Sequence, residues 1–329
     1  MKKLVAVLVI LVLAGFGIWY WQKDKQAPAP VSKTPEVKSV TLINPDGPVV
    51  IPVTGLAGKK VDTKGINVKV QYWKNNDEPI GLLASKKADF AVLPVVMGAN
   101  VASKGIDLVM LGVHEWKVFY MIAPPGVDYK GWTSLKGQQV YIPVGKGSTV
   151  DLLLRSAIKS QGMVPDQDVK LVYSPPQEIV ALFKTGKVQY AALPEPFVTL
   201  ATKGGQGKIV ADFQKYWGEV SGGPDRIPVA GLFVRRDFLN KHPKETEKIA
   251  SAFAASTAWS TNNVDEALSL TGKVLPIPAP VMKQSLTRLE FKYVKTSDCR
   301  AEVQKYLKKI HEMYPEGLKT LPGEGFYKQ

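Results

Sequence analysis

Between Gln139 and Gly162 the hydrophobic positions change rhythm. Val140-Tyr141-Ile142-Pro143-Val144 is an apolar, β-branched run; after Gly145-Lys146-Gly147 the apolar residues Val150, Leu153, Leu154, Ala157 and Ile158 recur at the i, i+3, i+4, i+7, i+8 spacing of a helix face. The pattern predicts strand, glycine turn, helix. Ser148 with Asp151 three residues on reads as a capping box, and Gly162 as the stop. A strand that passes through glycines onto a capped helix start leaves backbone N–H groups and the positive end of the helix dipole facing a crevice, where an anionic or polar ligand group can be held. The spacing is neither GxGxxG nor GxxxxGK[ST], and a plain βα turn also fits it.

The same change of rhythm repeats elsewhere. Residues 37–44 alternate toward a strand closed by the turn Pro45-Asp46-Gly47-Pro48, and 66–73 form a second strand. Asn75-Asn76-Asp77 caps a short helix to Ser85, 90–93 is a third strand, and Pro94 opens a helix toward Lys104. Residues 106–113, 118–123, 209–213 and 229–234 are further strands. Beyond these, 243–261, 264–274, 280–289 and 297–313 read as helices alone. Such alternation predicts an α/β protein with a parallel or mixed sheet covered on both faces, the closing helices covering a sheet already built.

Displacing the chain by 100 residues lays 78–94 on 178–194: Glu78 meets Glu178, Lys87 meets Lys187, Ala91 meets Ala191, and Leu93-Pro94 meets Leu193-Pro194. Apolar positions coincide as well, Ile80 with Val180 and Leu82 with Leu182. Either two helix–strand units agree by coincidence, or the chain holds two similar lobes whose Leu-Pro turns face each other across a cleft. Ligands of open α/β sheets bind outside the carboxyl ends of the strands.

The N-terminus follows a different pattern. The run from Leu4 to Trp21 is 18 uncharged residues behind Lys2 and Lys3, about 27 Å of helix, enough to cross a hydrocarbon core. It ends in Trp19-Tyr20-Trp21, an interfacial aromatic belt. An uncleaved anchor is favoured over a secretory signal, whose apolar stretch is shorter and ends at a small-x-small site. Residues 1–22 are therefore read as the anchor and the proline-bearing 23–37 as a linker.

Composition narrows the classes. With 329 residues, 45% hydrophobic and 22% charged, the chain can bury two cores. Its net charge is +14, but the basic residues are scattered and no helix-turn-helix, zinc-finger or RNP-like pattern occurs, which argues against nucleic acid. His114, His242 and His311 lie far apart and Cys299 stands alone, so no metal or catalytic motif emerges and no cofactor is expected.

Taken in order, Ala88-Asp89-Phe90-Ala91-Val92-Leu93-Pro94, Ser134-Leu135-Lys136-Gly137 ahead of the glycine turn, Gly186-Lys187-Val188-Gln189-Tyr190-Ala191-Ala192, Leu193-Pro194-Glu195-Pro196-Phe197 and Arg235-Arg236-Asp237-Phe238-Leu239 resemble the substrate-binding proteins of nitrate/taurine/sulfonate-type ABC importers. The resemblance covers about residues 38–329. It implies a two-lobed periplasmic-binding-protein type II fold with two crossovers behind an N-terminal transmembrane helix. Lobe I would be 38–122 plus 229–329, and lobe II 123–228. It implies a monomer on the outer face of the cytoplasmic membrane that captures a small polar solute and delivers it to an ABC permease and its ATPase. Alternatives on the same fold are a solute-sensing domain and thiamine-pyrimidine or menaquinone-pathway enzymes; a non-enzyme is expected.

Residue by residue, the resemblance places ligand contacts at Pro45 and Asp46 after the first strand, Asn75 and Asn76 after the second, and Pro94 and Val95 at the end of the third. It adds Gly147, Ser148 and Thr149 in the glycine turn and Pro194 and Glu195 in the second Leu-Pro corner. Two departures stand out. Sulfonate and taurine binders tend to carry Trp-Asp-Pro where this chain has Leu-Pro-Glu-Pro, and Phe16 occupies the place of a lipobox cysteine. Glu195 keeps two readings, a helix-dipole partner or a cleft residue that repels anions and prefers an amine or heterocyclic cation. Ser148 and Thr149 likewise read as oxyanion donors or as plain caps. Trp73, Trp116 and Trp132 are read as core residues.

Overall fold

The computed structural model describes residues 36–143 and 145–328. The anchor and all but the end of the linker lie outside them, and among the described residues no helix is long and apolar enough to cross a membrane.

In chain order the elements are β1 (Ser39–Pro45), α1 (Val50–Ala57), β2 (Asn67–Trp73), α2 (Asp77–Ala84), β3 (Phe90–Pro94), α3 (Val95–Ser103), β4 (Leu108–Lys117), β5 (Phe119–Ala123) and β6 (Gln139–Ile142). Then follow α4 (Thr149–Ser160), β7 (Lys170–Tyr173), α5 (Pro176–Lys184), β8 (Tyr190–Pro194), α6 (Phe197–Thr202), β9 (Lys208–Asp212) and α7 (Phe213–Ser221). The chain closes with β10 (Ala230–Arg235), α8 (Arg236–Lys241), α9 (Pro243–Asn262), α10 (Val264–Thr271), α11 (Ala279–Ser285), β11 (Glu290–Lys295) and α12 (Thr296–Met313).

The strands form two sheets, ordered β11-β4-β10-β3-β1-β2 and β7-β6-β8-β5-β9. In each, three strands run parallel (β2, β1, β3 and β7, β6, β8) and the next is antiparallel, β10 in the first sheet and β5 in the second. The sheets are therefore built alike. The 100-residue displacement maps β3 onto β8 end for end, and Pro94 and Pro194 each face the first residue of the antiparallel neighbour, Ala230 and Phe119. The chain passes from one sheet to the other through Val118 alone, and returns between α7 and β10.

Three sequence expectations are corrected. First, the closing region is not helical throughout: β11 returns to the first sheet and pairs antiparallel with β4. Second, β4 does not stop at Val113 but continues through His114, Glu115 and Trp116, all buried, because both faces of this strand are covered. Third, α1 was not expected. Pro52 and Gly55 both speak against a helix there, yet each fits. Pro52 lies in the first turn, where its missing N–H has no helical partner to lose. Gly55 allows close approach of α9, since a Cβ there would stand 2.8 Å from Ser256 Oγ and 2.9 Å from its Cα. The Ser256 hydroxyl then enters the helical ladder, accepting from Leu56 N–H (3.1 Å) and donating to Pro52 C=O (2.6 Å).

Trp73 and Trp116 are buried and Trp132 packs against Phe213 and Tyr216, as expected of core residues. Gln214 fixes the first crossover. Its amide oxygen accepts from Val118 N–H (3.2 Å) and Phe119 N–H (2.9 Å), and its nitrogen donates to Phe119 C=O (2.9 Å).

Candidate functional site

The carboxyl ends of β1 and β3 in one sheet and of β6 and β8 in the other open onto a single cavity of about 340 Å³. Each end turns sharply. After β1, Asn44 Nδ2 donates to Pro45 C=O (2.9 Å) and Val49 C=O (3.3 Å), which pins the Pro45–Val49 turn. After β6, Gly145 and Gly147 hold φ of 136° and 87°, values that only glycine adopts without strain. That turn delivers Ser148 in extended conformation at the head of α4.

Of the residues expected to touch ligand, Pro45, Asn76, Pro94, Gly147, Ser148, Thr149 and Pro194 all line this cavity. Asp46, Asn75, Val95 and Glu195 do not. Asn75 serves α2 instead, its Oδ1 accepting from Asp77 and Glu78 N–H at 3.1 Å. Asp46 is half-buried between two lining residues, Pro45 and Gly47. Burial, partly offset by nearby Lys74, pushes its carboxyl above the usual range. Val95 is buried in the core, its N–H donating to Val229 C=O (3.0 Å).

Glu195 is also turned away from the cavity. Fully buried, it accepts from Thr199 N–H (3.0 Å) and Thr199 Oγ1 (3.1 Å) at the start of α6 and pairs with Arg288 Nε (2.5 Å). It thus takes the helix-start role. The pair also ties the end of β8, in the second sheet, to the segment that leads into β11 in the first. Removing the cation leaves a buried carboxylate uncompensated, so Arg288→Ala is expected to lower stability by about 2–3 kcal/mol. Chemical denaturation would show it, and a change below about 0.5 kcal/mol would contradict this account.

The expected capping box does not form. Among the described residues the buried Ser148 hydroxyl has no partner and makes no bond to the helix, while Asp151 Oδ2 accepts from Gly147 N–H (2.7 Å), one residue earlier than a box requires. Asp151 is instead held by Arg155 Nε (2.9 Å) and Tyr173 OH (2.8 Å), and Arg155 reaches on to Asp166 at 2.8 Å. The glycine turn is therefore tied through Gly147 N–H to a charge network whose Asp151 and Arg155 are buried. Ser148, released from capping, lines the cavity at the head of α4, its hydroxyl covered in this conformation.

One lining residue was missed from the sequence. Glu115, near the end of β4, lines the cavity, is 3% exposed and has an unpartnered Oε1. Burial raises its carboxyl to about 8. The signal was a carboxylate inside an otherwise apolar run, Leu108 to Trp116. Its neighbour His114 projects to the opposite face, edge-on to Phe253 of α9 with ring centroids 5.0 Å apart, and burial depresses it to about 3. The rest of the wall is mostly apolar, including Pro48, Val49, Met97 and Phe119. Two lysines, Lys104 and Lys146, stand at the rim. Among the described residues no group of three or more His, Cys, Asp or Glu could hold a metal ion.

Residues 136–271 match the model of the NMT1-like family. A putative aliphatic sulfonates-binding protein of Bacillus subtilis (strain 168) is 25% identical over 234 residues, 70% of this chain and 66% of that relative, a little under two thirds of its length. An ABC transporter structure from Parabacteroides distasonis superimposes with a TM-score of 0.74 at 22% identity, covering 89% of this chain and 99% of that one. The periplasmic aliphatic sulphonate binding protein SsuA from Escherichia coli gives 0.69 at 18% identity, covering 85% and 88%. These matches bear out the resemblance seen in the motifs, and the two structures share the two-sheet α/β fold.

Proposed function

We propose that this chain is the solute-binding component of an ABC importer, working outside the cytoplasmic membrane and handing its solute to a permease driven by an ATPase. The observation that carries the reading is the single cavity fed by equivalent strand ends of two like-built sheets, which two chain crossovers join. A solute between them touches both halves at once, and the closed arrangement is selected by the extra contacts it makes. The proteins it resembles are described as binding proteins and transporter components rather than enzymes.

In this reading the halves are a type II pair of lobes, 38–122 with 229–329 and 123–228, and the protein acts as a monomer. The apolar run that ends at Trp21 holds it at the membrane. Pro45, Asn76, Pro94, Gly147, Ser148, Thr149 and Pro194 surround the solute. Ser148 contributes a free hydroxyl, and the start of α4 contributes N–H groups.

A panel of small organic acids, sulfonates, amines and amides, screened by thermal shift, is expected to contain members that raise the melting temperature, because a ligand that binds only the native state stabilises it. Small-angle scattering should then show the radius of gyration falling on saturation. Ser148→Trp, which fills the cavity from the head of α4, is expected to abolish both responses, with an unchanged circular dichroism spectrum showing that the free protein still folds. Solutes that stabilise Ser148→Trp as strongly as the wild type would place binding elsewhere and overturn the reading.

A further inference from the structure

Among the described residues, Glu115 is the only carboxylate in the cavity lining, and it is 97% buried by its 3% exposure. Among the described residues no basic side chain pairs with it. Its cross-strand neighbours are Ala230 on β10 and Phe291 on β11, neither of which offers a side-chain donor, and Oε1 has no hydrogen-bond partner. The alternation of β4 sends His114 to the α9 face, so the carboxyl projects on the cavity side. A buried acid left unpaired is costly, and its lasting presence in a ligand-sized, mostly apolar cavity calls for a partner that arrives with the ligand.

We propose that Glu115 recognises a positively charged nitrogen on the solute, an ammonium or amidinium carried on an apolar body. The inference rests on reading the cavity as the solute site and specifies what enters it. Burial supports it, because in a dry pocket the attraction between an ionised carboxylate and a bound cation is screened little, enough to draw the proton from the carboxyl as the cation arrives. The rim lysines oppose it weakly. Lys146 is half exposed and lies 4.0 Å from Glu316, and Lys104 is exposed, so water screens both far more than it screens the floor of the cavity. At the other end of the solute, the free Ser148 hydroxyl can donate to an acceptor oxygen. The result is a site that favours a cationic organic molecule over a bare inorganic anion.

Matched probes test this. Benzylammonium and benzamidinium share their ring with benzenesulfonate and benzoate, so titration calorimetry on the full chain at neutral pH compares charge at nearly constant shape. The cationic pair is expected to bind to the wild type and the anionic pair not. Glu115→Gln, which keeps size and hydrogen-bonding capacity, should weaken the cations by about 30-fold or more, the usual penalty for removing one member of a buried charge pair. Its melting temperature at neutral pH should equal or exceed that of the wild type, which separates lost recognition from lost folding. Binding by the anions alone, or unchanged cation affinity in Glu115→Gln, would overturn the charge assignment while leaving solute capture standing. Failure of all four probes at millimolar concentration would overturn the assignment. Solute capture itself would fall only if the broader thermal-shift panel also produced no stabilising solute.

Discussion

Arg155→Met is expected to lower the unfolding free energy by about 3–5 kcal/mol, the cost typical of removing one member of a buried ion pair. The side chains of Arg155 and Asp151 are 5% and 0% exposed, so neither charge is relieved by water. Without the guanidinium, Asp151 keeps only Gly147 N–H and Tyr173 OH as partners, and Tyr173 loses the 2.8 Å bond it accepts from Arg155. A urea transition whose midpoint falls with an unchanged slope would show the loss as one of stability alone. Asp151→Asn in the Arg155→Met background should recover part of it, since a neutral amide is cheaper to bury than a carboxylate. A loss below about 1 kcal/mol would mean that the network is not what supports the turn. The same substitution should weaken solute binding, because Asp151 anchors the glycine turn through Gly147.

The second large effect is a pH dependence set by two adjacent residues of β4. His114 titrates near 3 in the folded chain against 6.5 when free, so it contributes stability above 6.5 that is lost as pH falls toward 3. Glu115 titrates near 8 against 4.5, so its contribution is complete below 4.5 and is lost as pH rises toward 8. Between about 4.5 and 6.5 the two slopes cancel, and stability from this pair is flat; it falls on either side. In Glu115→Gln the alkaline fall should vanish. The stability difference from wild type should grow with pH by about 1.4 kcal/mol per unit across 4.5 to 8, reaching a few kcal/mol. His114→Phe should remove the acid limb instead. Denaturation curves at half-unit pH intervals measure both, and a pH-independent difference for Glu115→Gln would show that its carboxyl is not perturbed.

Much of the architecture was legible because it depends on local pattern. The 100-residue repeat located β3 and β8 to within a residue of their ends at Pro94 and Pro194, since a Leu-Pro corner limits where a strand can end. The glycine turn before α4 was equally plain, because positive φ at Gly145 and Gly147 needs that residue type. What escaped depends on partners distant in sequence. Gly55 makes room for Ser256, whose hydroxyl completes the ladder of α1, and nothing in residues 50–57 announces that partner. Asp166 and Tyr173 draw Asp151 and Arg155 into a network, so a sequence that spells a capping box builds something else. Arg288 claims Glu195 across 93 residues and holds it at the start of α6. Glu115 escaped for the reverse reason: a charge inside an apolar run signals an edge or a break, unless a cavity lies beside it.

Val118 is the whole length of chain between the sheets on the outward pass, and the Gln214 amide grips the backbone on both sides of it. In the proposed function, so short a joint would let the halves swing about it but not slide apart. Val118 and Phe119 also belong to the cavity wall, which seats a captured molecule beside the axle rather than out along the arms. In that reading a small rotation there is magnified toward the outer surfaces of both halves, where the proposed permease would meet it.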